Sequence, residues 1–461
     1  MTVIVQPGTD SNGNPQPMVY DSDTGKVIVD SNGYVLNGGQ RLVNIPSKTD
    51  YVSTAKTQTV GIQEAINYIF YNGGGTVLFR KGLYDLSNAP FQTVPSLNGS
   101  TVPTILTIPG NSTDRTINIS LIGEGYPSGA WEETSADASS GEVAIAWRNQ
   151  TVTYTEYANL FYPSAITNTD FPNYMSNINL YINNIHWQVT QGTQAADTAM
   201  NAVVVEAVGR FSAGTIYLDQ YPVFSTGGTP SGNGLVLGNG VQSVLSTIDT
   251  VYAESFYTGI LIAGHYHINH VILQNCTIGF LVHPENTSSI YLMHIGEVTA
   301  QYVGTLINST LGSIAMVINS IDYGDGTTSS DTLIDNTNTL YLVINGLNVA
   351  GPTSDGLSAP SLGTINDTTY VRIKGMSLIT VTTPSVPASG TAQQNLNLTA
   401  VNVYIYGGDV TEIQITRNGT AYTVLSVSTA IAMSGQVYKL NPGDSITITY
   451  STAPSWEWLA E

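Results

Sequence analysis

The middle of this 461-residue chain lacks positive charge, since no Lys or Arg lies between Arg210 and Arg372. The whole chain has 13 Lys and Arg against 33 Asp and Glu, a formal net charge of -20, and only 10% of its residues are charged. So few cations cannot neutralise phosphates, which disfavours a nucleic-acid partner. It also disfavours a polysaccharide lyase, because that reaction needs a base together with cations that neutralise the carboxylate of the substrate.

Cysteine and long apolar stretches are also scarce. Cys276 is the only cysteine, so no disulfide can form within the chain, and its apolar position predicts a buried small side chain without redox or metal chemistry. No apolar run approaches the roughly 18–20 residues of a membrane span, which predicts no membrane insertion. The first residues lack the basic and apolar stretches of a signal peptide, so none is expected.

What the chain has instead is a repeated four-residue pattern: an aliphatic residue, two mostly polar or small residues, then an apolar one. The pattern occurs seven times, at 182–185, 248–251, 273–276, 295–298, 318–321, 344–347 and 373–376. From residue 248 onward the steps are 25, 22, 23, 26 and 29 residues. We interpret the two middle residues of each pattern as turn corners.

A second recurrence begins at Gly234, Gly259, Gly279 and Gly304, in phase with the first. Periods of this length indicate a solenoid, in which each unit buries its apolar face against its neighbours. Short Ile, Val, Leu and Tyr runs, punctuated by Gly, Asn, Asp, Ser and Thr, make the units strands and not helices. The sequence therefore predicts an all-β parallel β-helix.

An amphipathic helix precedes the repeats. Its apolar residues follow the helical period on one face, and the glycines at 73–75 would end it; these apolar residues are Ile62, Ala65, Ile66, Ile69 and Phe70. Such a helix would cap the open end of a solenoid, where unpaired strand edges would otherwise meet water.

We predict three domains. Residues 1–50 form a small N-terminal β-meander, a possible particle anchor, and residues 51–382 form the parallel β-helix. After a Pro-containing linker, residues 383–461 alternate as half-buried strands of an antiparallel β-sandwich. Asn418 and Gly419 make a tight hairpin within that sandwich.

Several segments carry a family resemblance. Residues 61–67 read Gly-Ile-Gln-Glu-Ala-Ile-Asn, residues 73–77 read Gly-Gly-Gly-Thr-Val, and Gly82-Leu-Tyr84 and Ser87 follow. Together with 105–109 and 119–125, they resemble the pectin-lyase-like superfamily, which includes pectate-lyase-type enzymes, polygalacturonases and phage tailspikes. Arg80-Lys81 stands where that family usually has proline.

The resemblance covers roughly residues 55–380 and implies a right-handed β-helix that associates as a homotrimer. It is closest in style to viral and phage tailspikes or virion spikes. It does not fix the chemistry, because the superfamily mixes hydrolases, lyases and non-catalytic adhesins. The paired aspartates of polygalacturonases are missing, since no Asp-Asp occurs in the chain.

The histidines are the residues that most resemble metal ligands. All six lie between His186 and His294, and His265 and His267 would share one face of a strand. No cysteine or acidic residue is interleaved with them, as a zinc site would require. We therefore expect hydrogen-bonding roles, and neither a metal nor another cofactor.

Catalytic carboxylates are the weaker hypothesis. A glycoside hydrolase needs two of them about 5 to 9.5 Å apart. Asp249 or Glu254 could pair with Glu297 from another coil, because coils stack about 4.8 Å apart. Any acidic solenoid meets this condition by chance, so the balance lies against an enzyme; if there is one, a hydrolase is favoured over a lyase.

Neutral glycan binding has more support, because aromatic faces stack on sugars beside amides and hydroxyls. The same side chains could instead pack inside the protein or at a trimer interface. The glycan-binding candidates are Trp187, Tyr252, Tyr257, Tyr291, Tyr302 and Tyr323.

The sequence thus predicts a virion surface protein, a tailspike, fibre or spike, that is extracellular and attaches to host-cell glycans or glycoproteins. It would be a homotrimer, and its N-terminal segment would contact other virion proteins. Two alternatives stay open: a polysaccharide-degrading glycoside hydrolase on the same scaffold, and a purely structural virion component.

Overall fold

The computed structural model describes most of the chain, and every structural statement below concerns the described residues. These are 1–6, 18–24, 27–29, 36–37, 40–41, 59–96, 100–111, 115–125, 142–148, 158–167, 172–174, 176–190, 200–206, 208–221, 230–238, 246–262, 264–282, 291–309, 313–324, 332–336, 340–349, 361–364, 370–373, 381, 383–397 and 399–460. Within them the fold is all-β with one helix, as predicted. The chain divides into two compact units, Met1–Thr277 and Ile278–Glu461.

The first unit contains helix α1 (Ile62–Tyr71) and 22 strands. The strands are β1 (Thr2–Gln6), β2 (Met18–Asp21), β3 (Val27–Val29), β4 (Leu36–Asn37), β5 (Gln40–Arg41), β6 (Gly75–Phe79), β7 (Gly82–Asp85), β8 (Gln92–Pro95), β9 (Thr101–Leu106), β10 (Ile117–Gly123), β11 (Val143–Trp147), β12 (Asn159–Phe161), β13 (Ile166–Thr167), β14 (Pro172–Tyr174), β15 (Ser176–Asn183), β16 (Ile185–Thr190), β17 (Asn201–Val204), β18 (Val208–Tyr221), β19 (Ser231–Leu237), β20 (Ser246–Glu254), β21 (Phe256–Ile262) and β22 (Tyr266–Gln274).

The predicted helix is confirmed, with the expected face buried. Thr59 caps its first turn: its Oγ1 accepts from the backbone N–H of Gln63 at 3.3 Å and donates to Glu64 Oε2 at 3.0 Å. The three glycines that end it have φ of 86°, 109° and 155°, values that other residues rarely adopt. At Gly74 a Cβ would also lie 2.6 Å from the Asn118 carbonyl oxygen, so the close approach of α1 to β10 requires glycine there.

Parallel strands dominate the first unit. One sheet stacks β6, β10, β15, β18, β20 and β22 in parallel, and β7, β11 and β16 continue it alongside β18. A second sheet stacks β9, β12, β17, β19 and β21 in parallel. The chain forms a strand of the first sheet and then a strand of the second sheet. It then returns to the first sheet, where it forms the next strand of that stack.

The core of the first unit consists of stacked aliphatic rows. Ile182, Ala213, Ile248 and Ile268 face one another on neighbouring strands and are all buried. Burying an Ile, Leu or Val side chain contributes about 1.5–3 kcal/mol relative to leaving it exposed. Rows of this kind therefore set the register, because a shift of one residue would turn each row to the opposite face.

The observed strand register changes how two of the predicted motifs align. Ile268-Asn-His-Val271 occupies the same positions as 248–251, twenty residues later, although the pattern search on the sequence missed it. The motif 273–276 instead aligns with Ala253-Glu-Ser-Phe256, one corner further along. Those two corners contain Ser255 and Asn275, whose φ values are 63° and 52°.

The corner interpretation fits two motifs of the first unit. At 182–185 the strands β15 and β16 are separated by Asn184, which has a φ of 54°. At 248–251 strand β20 is continuous, but its alternation is interrupted: Ile248 and Val251 are both buried, and Asp249 and Thr250 between them are both accessible. The glycine recurrence holds for Gly234 and Gly259, whose following residues pair.

A ladder of asparagines lies inside the second sheet of the first unit. Asn201 Nδ2 donates to Asn159 Oδ1 at 2.9 Å, and Asn233 Nδ2 donates to Asn201 Oδ1 at 2.8 Å. All three side chains are buried, so each amide satisfies the next and little hydrogen-bonding capacity is lost.

The N-terminal strands belong to this architecture. β1 pairs in parallel with β6, and β2 and β3 continue from β1 as an antiparallel meander. Tyr68 of α1 donates to Asp21 Oδ2 at 3.3 Å. The described part of the predicted meander is therefore joined to the first sheet by backbone hydrogen bonds.

The second unit repeats the parallel arrangement and ends in an antiparallel sheet. Its strands are β23 (Ile278–Val282), β24 (Tyr291–Gln301), β25 (Thr305–Ser309), β26 (Ile314–Gly324), β27 (Thr332–Asn336), β28 (Leu340–Ile344), β29 (Leu347–Val349), β30 (Ser361–Thr364), β31 (Tyr370–Ile373), β32 (Ala392–Gln394), β33 (Val401–Arg417), β34 (Thr420–Leu440), β35 (Ser445–Thr452) and β36 (Ser455–Ala460). The parallel stacks are β24, β26, β28 and β31, and β23, β25, β27 and β30.

Three predicted motifs are in register in this unit. Residues 295–298 pair with 318–321, which pair with 344–347 through β28 and β29. The first two lie inside continuous strands, and only 344–347 is interrupted, at Asn345 and Gly346. The last motif ends at Met376, which lies outside the described residues. Gly279 and Gly304 are not opposite each other, because Phe280 pairs with Ile307.

The C-terminal residues form one five-stranded antiparallel sheet in which β33 pairs with β34, β35 and β36. The predicted hairpin at Asn418 and Gly419 is confirmed, with φ of 49° and 71°. Strand β34 lies at the edge of this sheet, and most of its side chains are exposed.

Candidate functional site

The outer side of the first sheet carries an exposed polar surface before the strands reach their corner. One row consists of Thr76, Ser120, Tyr181, Ser212, Thr247 and His267, which pair in turn across six parallel strands. Asn183, Asp249 and Asn269 lie two residues further along their strands. We call these nine residues the exposed face.

The exposed face follows from strand alternation. Side chains on a strand point alternately to the two sides of the sheet. Ile182, Ile248 and Ile268 point into the core, so the residues on either side of each point outward. Thr247, Asp249, His267 and Asn269 are exposed, and the other members are half-buried.

Neighbouring members of the exposed face bond to one another. Asn269 Nδ2 donates to Asp249 Oδ1 at 2.9 Å, and Asn269 Oδ1 lies 3.0 Å from His267 Nε2. The Asn183 carboxamide accepts from the Thr215 N–H at 2.9 Å. It fits only because residue 214 is glycine, where a Cβ would come within 2.0 Å of the Asn183 oxygen.

Chemically, this surface offers hydroxyls and amides with little charge. Asp249 is its only carboxylate, and it has no Lys or Arg. Neighbouring members of a row lie about 4.8 Å apart, the spacing of paired strands. Because hydroxyls and amides both donate and accept hydrogen bonds, the face matches a partner that is itself rich in hydroxyls.

Beyond the corner, further along the same strands, the side chains on the outer side of this sheet are polar but mostly buried. These residues are His186, Gln188, Tyr217, Asp219, Tyr252, Glu254 and Gln274, joined by Glu142 from the start of β11. We call this set the polar ladder. Glu142, His186, Gln188 and Asp219 have essentially no exposed surface, and Glu254 is also buried.

His186 lies between two carboxylates at the centre of the ladder. Its Nε2 is 3.0 Å from Asp219 Oδ1, and its Nδ1 is 3.5 Å from Glu142 Oε1. The ring N–H directions do not point at these oxygens, so the attraction is mainly between charges. Asp219 also accepts from Gln188 Nε2 at 3.1 Å, and Gln188 accepts from Arg148.

The environment of His186 favours its charged form. Burial by itself would lower the pKa, but Asp219 and Glu142 outweigh burial and raise the pKa of His186 to about 9. The ring of Tyr217 contacts His186 edge-on, with centroids 4.4 Å apart. The imidazolium is thus enclosed by two anions and an aromatic ring.

Glu254 closes the other end of the ladder. Its Oε2 accepts from Tyr217 at 3.1 Å and from Tyr252 at 3.2 Å, and these two rings stack 4.2 Å apart. The Tyr252 hydroxyl also contacts Gln274 Oε1, and its single proton is available to Glu254 or to Gln274. Burial, together with the nearby Tyr252, Asp219 and Glu254, raises the pKa of Tyr217 well above its usual range.

The polar ladder can hold charge, but its buried groups face one another. A catalytic acid or base must come within hydrogen-bond reach of a substrate. His186, Glu142 and Asp219 have no exposed surface through which a substrate could reach them. The arrangement instead stabilises one packing of strands, because leaving any of these charges without its partner would be costly.

The predicted catalytic carboxylates are found in different surroundings. Asp249 belongs to the exposed face, whereas Glu254 is bound by two tyrosines inside the ladder. The predicted pairing of Asp249 or Glu254 with Glu297 stays a prediction. Glu297 lies in the second unit and is exposed.

The predicted glycan-binding aromatic residues also differ in how far they are buried. Trp187 and Tyr323 are fully buried, Trp187 against Phe161 with centroids 5.4 Å apart and Tyr323 donating to the Val303 carbonyl. A fully buried ring offers no face to a sugar. Tyr257 and Tyr302 are half-buried, as is Tyr252, which is already stacked on Tyr217. The Tyr291 side chain lies outside the described residues.

The predicted metal candidates do not come together. His267 is exposed and contacts Asn269, and His265 is half-buried. In the described part of the chain, no group of three or more His, Cys, Asp or Glu side chains could hold a metal ion. Cys276 is buried as predicted, and burial raises the pKa of its thiol to about 12.

The sequence reasoning missed both Tyr181 and the charged centre of the ladder. Tyr181 is the aromatic residue of the exposed face, and a register that included Ala213-Gly-Thr-Ile216 would have placed it there. Glu142, His186 and Asp219 are 44 and 33 residues apart in sequence, and no local pattern links them. Only the pairing of β11, β16 and β18 brings them together.

Comparison of the chain with protein-family models, with curated proteins and with solved structures finds no match. Among the described residues, no helix is long and apolar enough to cross a membrane.

Proposed function

We propose that the chain is a right-handed parallel β-helix of the pectin-lyase-like kind, and that its exposed face binds neutral glycans on a host-cell surface. The observation that carries the proposal is the row of hydroxyl, phenol and imidazole groups in register across six strands. A glycan chain lying along that row meets one such group per strand.

The setting of this activity is a virion surface, where the protein acts as a tailspike, fibre or spike. This part rests on the sequence resemblance and on the low-charge composition. Residues 383–461 would form a β-sandwich beside the β-helix. Contact with other virion proteins is assigned to residues 1–50 beyond β1, since β1 is already paired with β6.

A homotrimer suits this role, because several weak glycan contacts on one particle combine through effective concentration. Strand β34 supports association between copies. It lies at the edge of its sheet and is 21 residues long, and Lys439 is its only charged residue. Tyr422, Val424 and Val437 on this strand are about half exposed. Natural proteins seldom leave so long and uncharged an edge uncovered.

Binding to arrayed neutral oligosaccharides and to host-surface polysaccharide tests the proposal. We expect the wild-type protein to bind, and Tyr181→Ala and His267→Ala each to weaken binding several-fold. Tyr341→Ala is the matched control, because Tyr341 is 46% exposed and is not one of the nine residues of the exposed face. Equal loss of binding in the control, or no loss in the two variants, would refute the assignment.

Two further readouts separate the alternatives. Sizing the polysaccharide after incubation distinguishes binding from hydrolysis, and shortened chains would replace the adhesin by a glycoside hydrolase. Absence of binding to every glycan would leave the purely structural role. Immunolabelling of the source particle in the electron microscope checks the location, and label confined to the particle interior would contradict it.

A further inference from the structure

A second candidate binding site lies in the second unit, between β31 and the C-terminal sheet. It is a cleft of about 340 Å³, lined by Arg372 and its neighbours on β31, by the hairpin at Arg417 and Asn418, and by the turn at 441–444. This volume falls at the small end of ligand pockets, which span about 300–1,000 Å³. The cleft does not involve the exposed face, and its assignment does not depend on the proposed function.

The cleft concentrates positive charge in an acidic part of the chain. Residues 278–461 contain 13 Asp and Glu but only four Lys and Arg: Arg372, Lys374, Arg417 and Lys439. Arg372 and Arg417 both line the cleft, and Asp444 is the only acidic residue among its lining. Two guanidinium groups against one carboxylate leave a single excess positive charge.

Arg417 is held in place by its neighbours. Its Nε donates to Asp444 Oδ2 at 2.9 Å, and its terminal NH2 donates to the Lys439 carbonyl at 2.6 Å. Asp444 Oδ2 also accepts from the backbone N–H of Asn441 at 2.9 Å. This network fixes one guanidinium at the wall of the cleft before any ligand arrives, which reduces the cost of binding.

Arg372 differs from Arg417 in its exposure and its contacts. Its side chain is exposed on β31, next to the buried Val371, and it makes no hydrogen bond or ion pair with the described residues. A guanidinium presents five N–H donors in a planar fork that matches an oxyanion. Arg372 can therefore contribute its full donor set to a ligand, while Arg417 supplies the preorganised charge.

We infer that this cleft binds the carboxylate of an acidic monosaccharide unit. One excess positive charge matches a carboxylate better than a phosphate dianion. The amides of Asn418 and Asn441 are suited to sugar hydroxyls, and Pro442 offers an apolar surface to the ring. The ligand class is thus a uronic-acid-type sugar, at the end of a glycan or as a side branch.

Titration of the full-length protein with glucuronate, glucose and inorganic phosphate, followed by calorimetry or ligand-observed NMR, tests the inference. We expect glucuronate to bind more tightly than the other two, and to bind more weakly at high salt. Binding of glucose as tight as that of glucuronate would overturn the carboxylate assignment. Equal binding of phosphate would overturn the assignment to a sugar.

The variants assign the binding to this cleft. Arg372→Gln should weaken glucuronate binding about tenfold or more, the usual effect of removing a charged hydrogen-bond donor. Arg372→Lys should restore part of the affinity. The matched control is Arg210→Gln, which removes one exposed cation from the first unit and should leave binding unchanged. An unchanged affinity in Arg372→Gln, with unaltered thermal unfolding, would refute the site.

Discussion

Replacing Asp219 by Asn removes one of the two carboxylates that flank His186, while it keeps the size of the side chain. Asp219 and His186 are both fully buried, with Oδ1 and Nε2 3.0 Å apart. The neutral amide cannot stabilise the imidazolium as the carboxylate does. Breaking one side of a buried ion pair typically costs about 3–5 kcal/mol.

The pKa of His186 reflects the combined effect of Asp219, Glu142 and burial. It is about 9 in the folded protein against an ordinary value of 6.5. At about 1.4 kcal/mol per tenfold change in proton affinity, this difference corresponds to about 3 kcal/mol of stability. Because the group is fully buried, solvent does not screen it.

The sign follows from which state binds the proton more tightly. Between pH 6.5 and about 9 the folded state keeps the proton on His186, and the unfolded state has released it. The stabilisation is therefore complete below pH 6.5 and is lost as the pH rises toward 9. We expect the free energy of unfolding of the wild type to fall by about 3 kcal/mol over this range.

Urea titrations of both proteins at several pH values from 6 to 8.5 check this expectation. Asp219→Asn should be less stable at pH 6 and should show a shallower decline with pH, since only Glu142 then supports the imidazolium. Above pH 8.5 the unfolded state begins to ionise Cys276, whose folded pKa is raised to about 12, and this adds a further decline in both proteins. The comparison between the two proteins removes that contribution.

The control is Thr247→Ala, which replaces an exposed residue without a titratable group in the same unit and should keep the wild-type pH dependence. Parallel stability curves for wild type and Asp219→Asn across this range would refute the reasoning. A wild-type stability that rises between pH 6.5 and 8.5 would refute it equally.

Three further substitutions test packing and association. Gly234→Ala should lower the free energy of unfolding in urea by about 1–3 kcal/mol, because the added Cβ would lie 2.7 Å from a backbone oxygen of the next strand. Its control is Gly324→Ala, where the added Cβ has no atom within 4 Å and the free energy of unfolding should not fall. Asn201→Ala should lower the free energy of unfolding by about 1–3 kcal/mol in the same assay, because it leaves buried amides unpaired. Asn269→Ala, at an exposed position, should lower it by less than about 0.5 kcal/mol. Equal losses would contradict the role of the asparagine ladder. Val424→Lys on the β34 edge should reduce the mass found by light scattering from trimer to monomer, and an unchanged mass would exclude this edge as the interface.

Features determined by neighbouring residues could be predicted from the sequence. The helical period from Ile62 to Phe70 and the glycines after it specify α1 and its end. The Asn418–Gly419 pair specifies a hairpin, because both residues tolerate positive φ. Such features depend on contacts over a few residues, which the sequence displays directly.

Features determined by strand register could be predicted only in part. The apolar ends of the first six motifs are buried, yet the motif at 273–276 belongs to a different corner from the one at 248–251. The reason is that the corners add residues between two similar strand segments, so more than one alignment satisfies the same apolar pattern. The polar ladder depends on that register, and for this reason the sequence did not reveal the grouping of Glu142 with His186 and Asp219.

The two polar surfaces of the first unit are mechanically linked. Strands β18, β20 and β22 are continuous, and each carries members of the exposed face before the corner and members of the polar ladder after it. An uncharged surface gains affinity from many weak contacts held at a fixed spacing, and the charged pairs of the ladder fix the spacing of the same strands. It follows that a substitution in the ladder should reduce binding to the proposed glycan although no residue of the exposed face is replaced. Raising the pH toward 9 should therefore weaken stability and glycan binding together, and Asp219→Asn should already do so at pH 6.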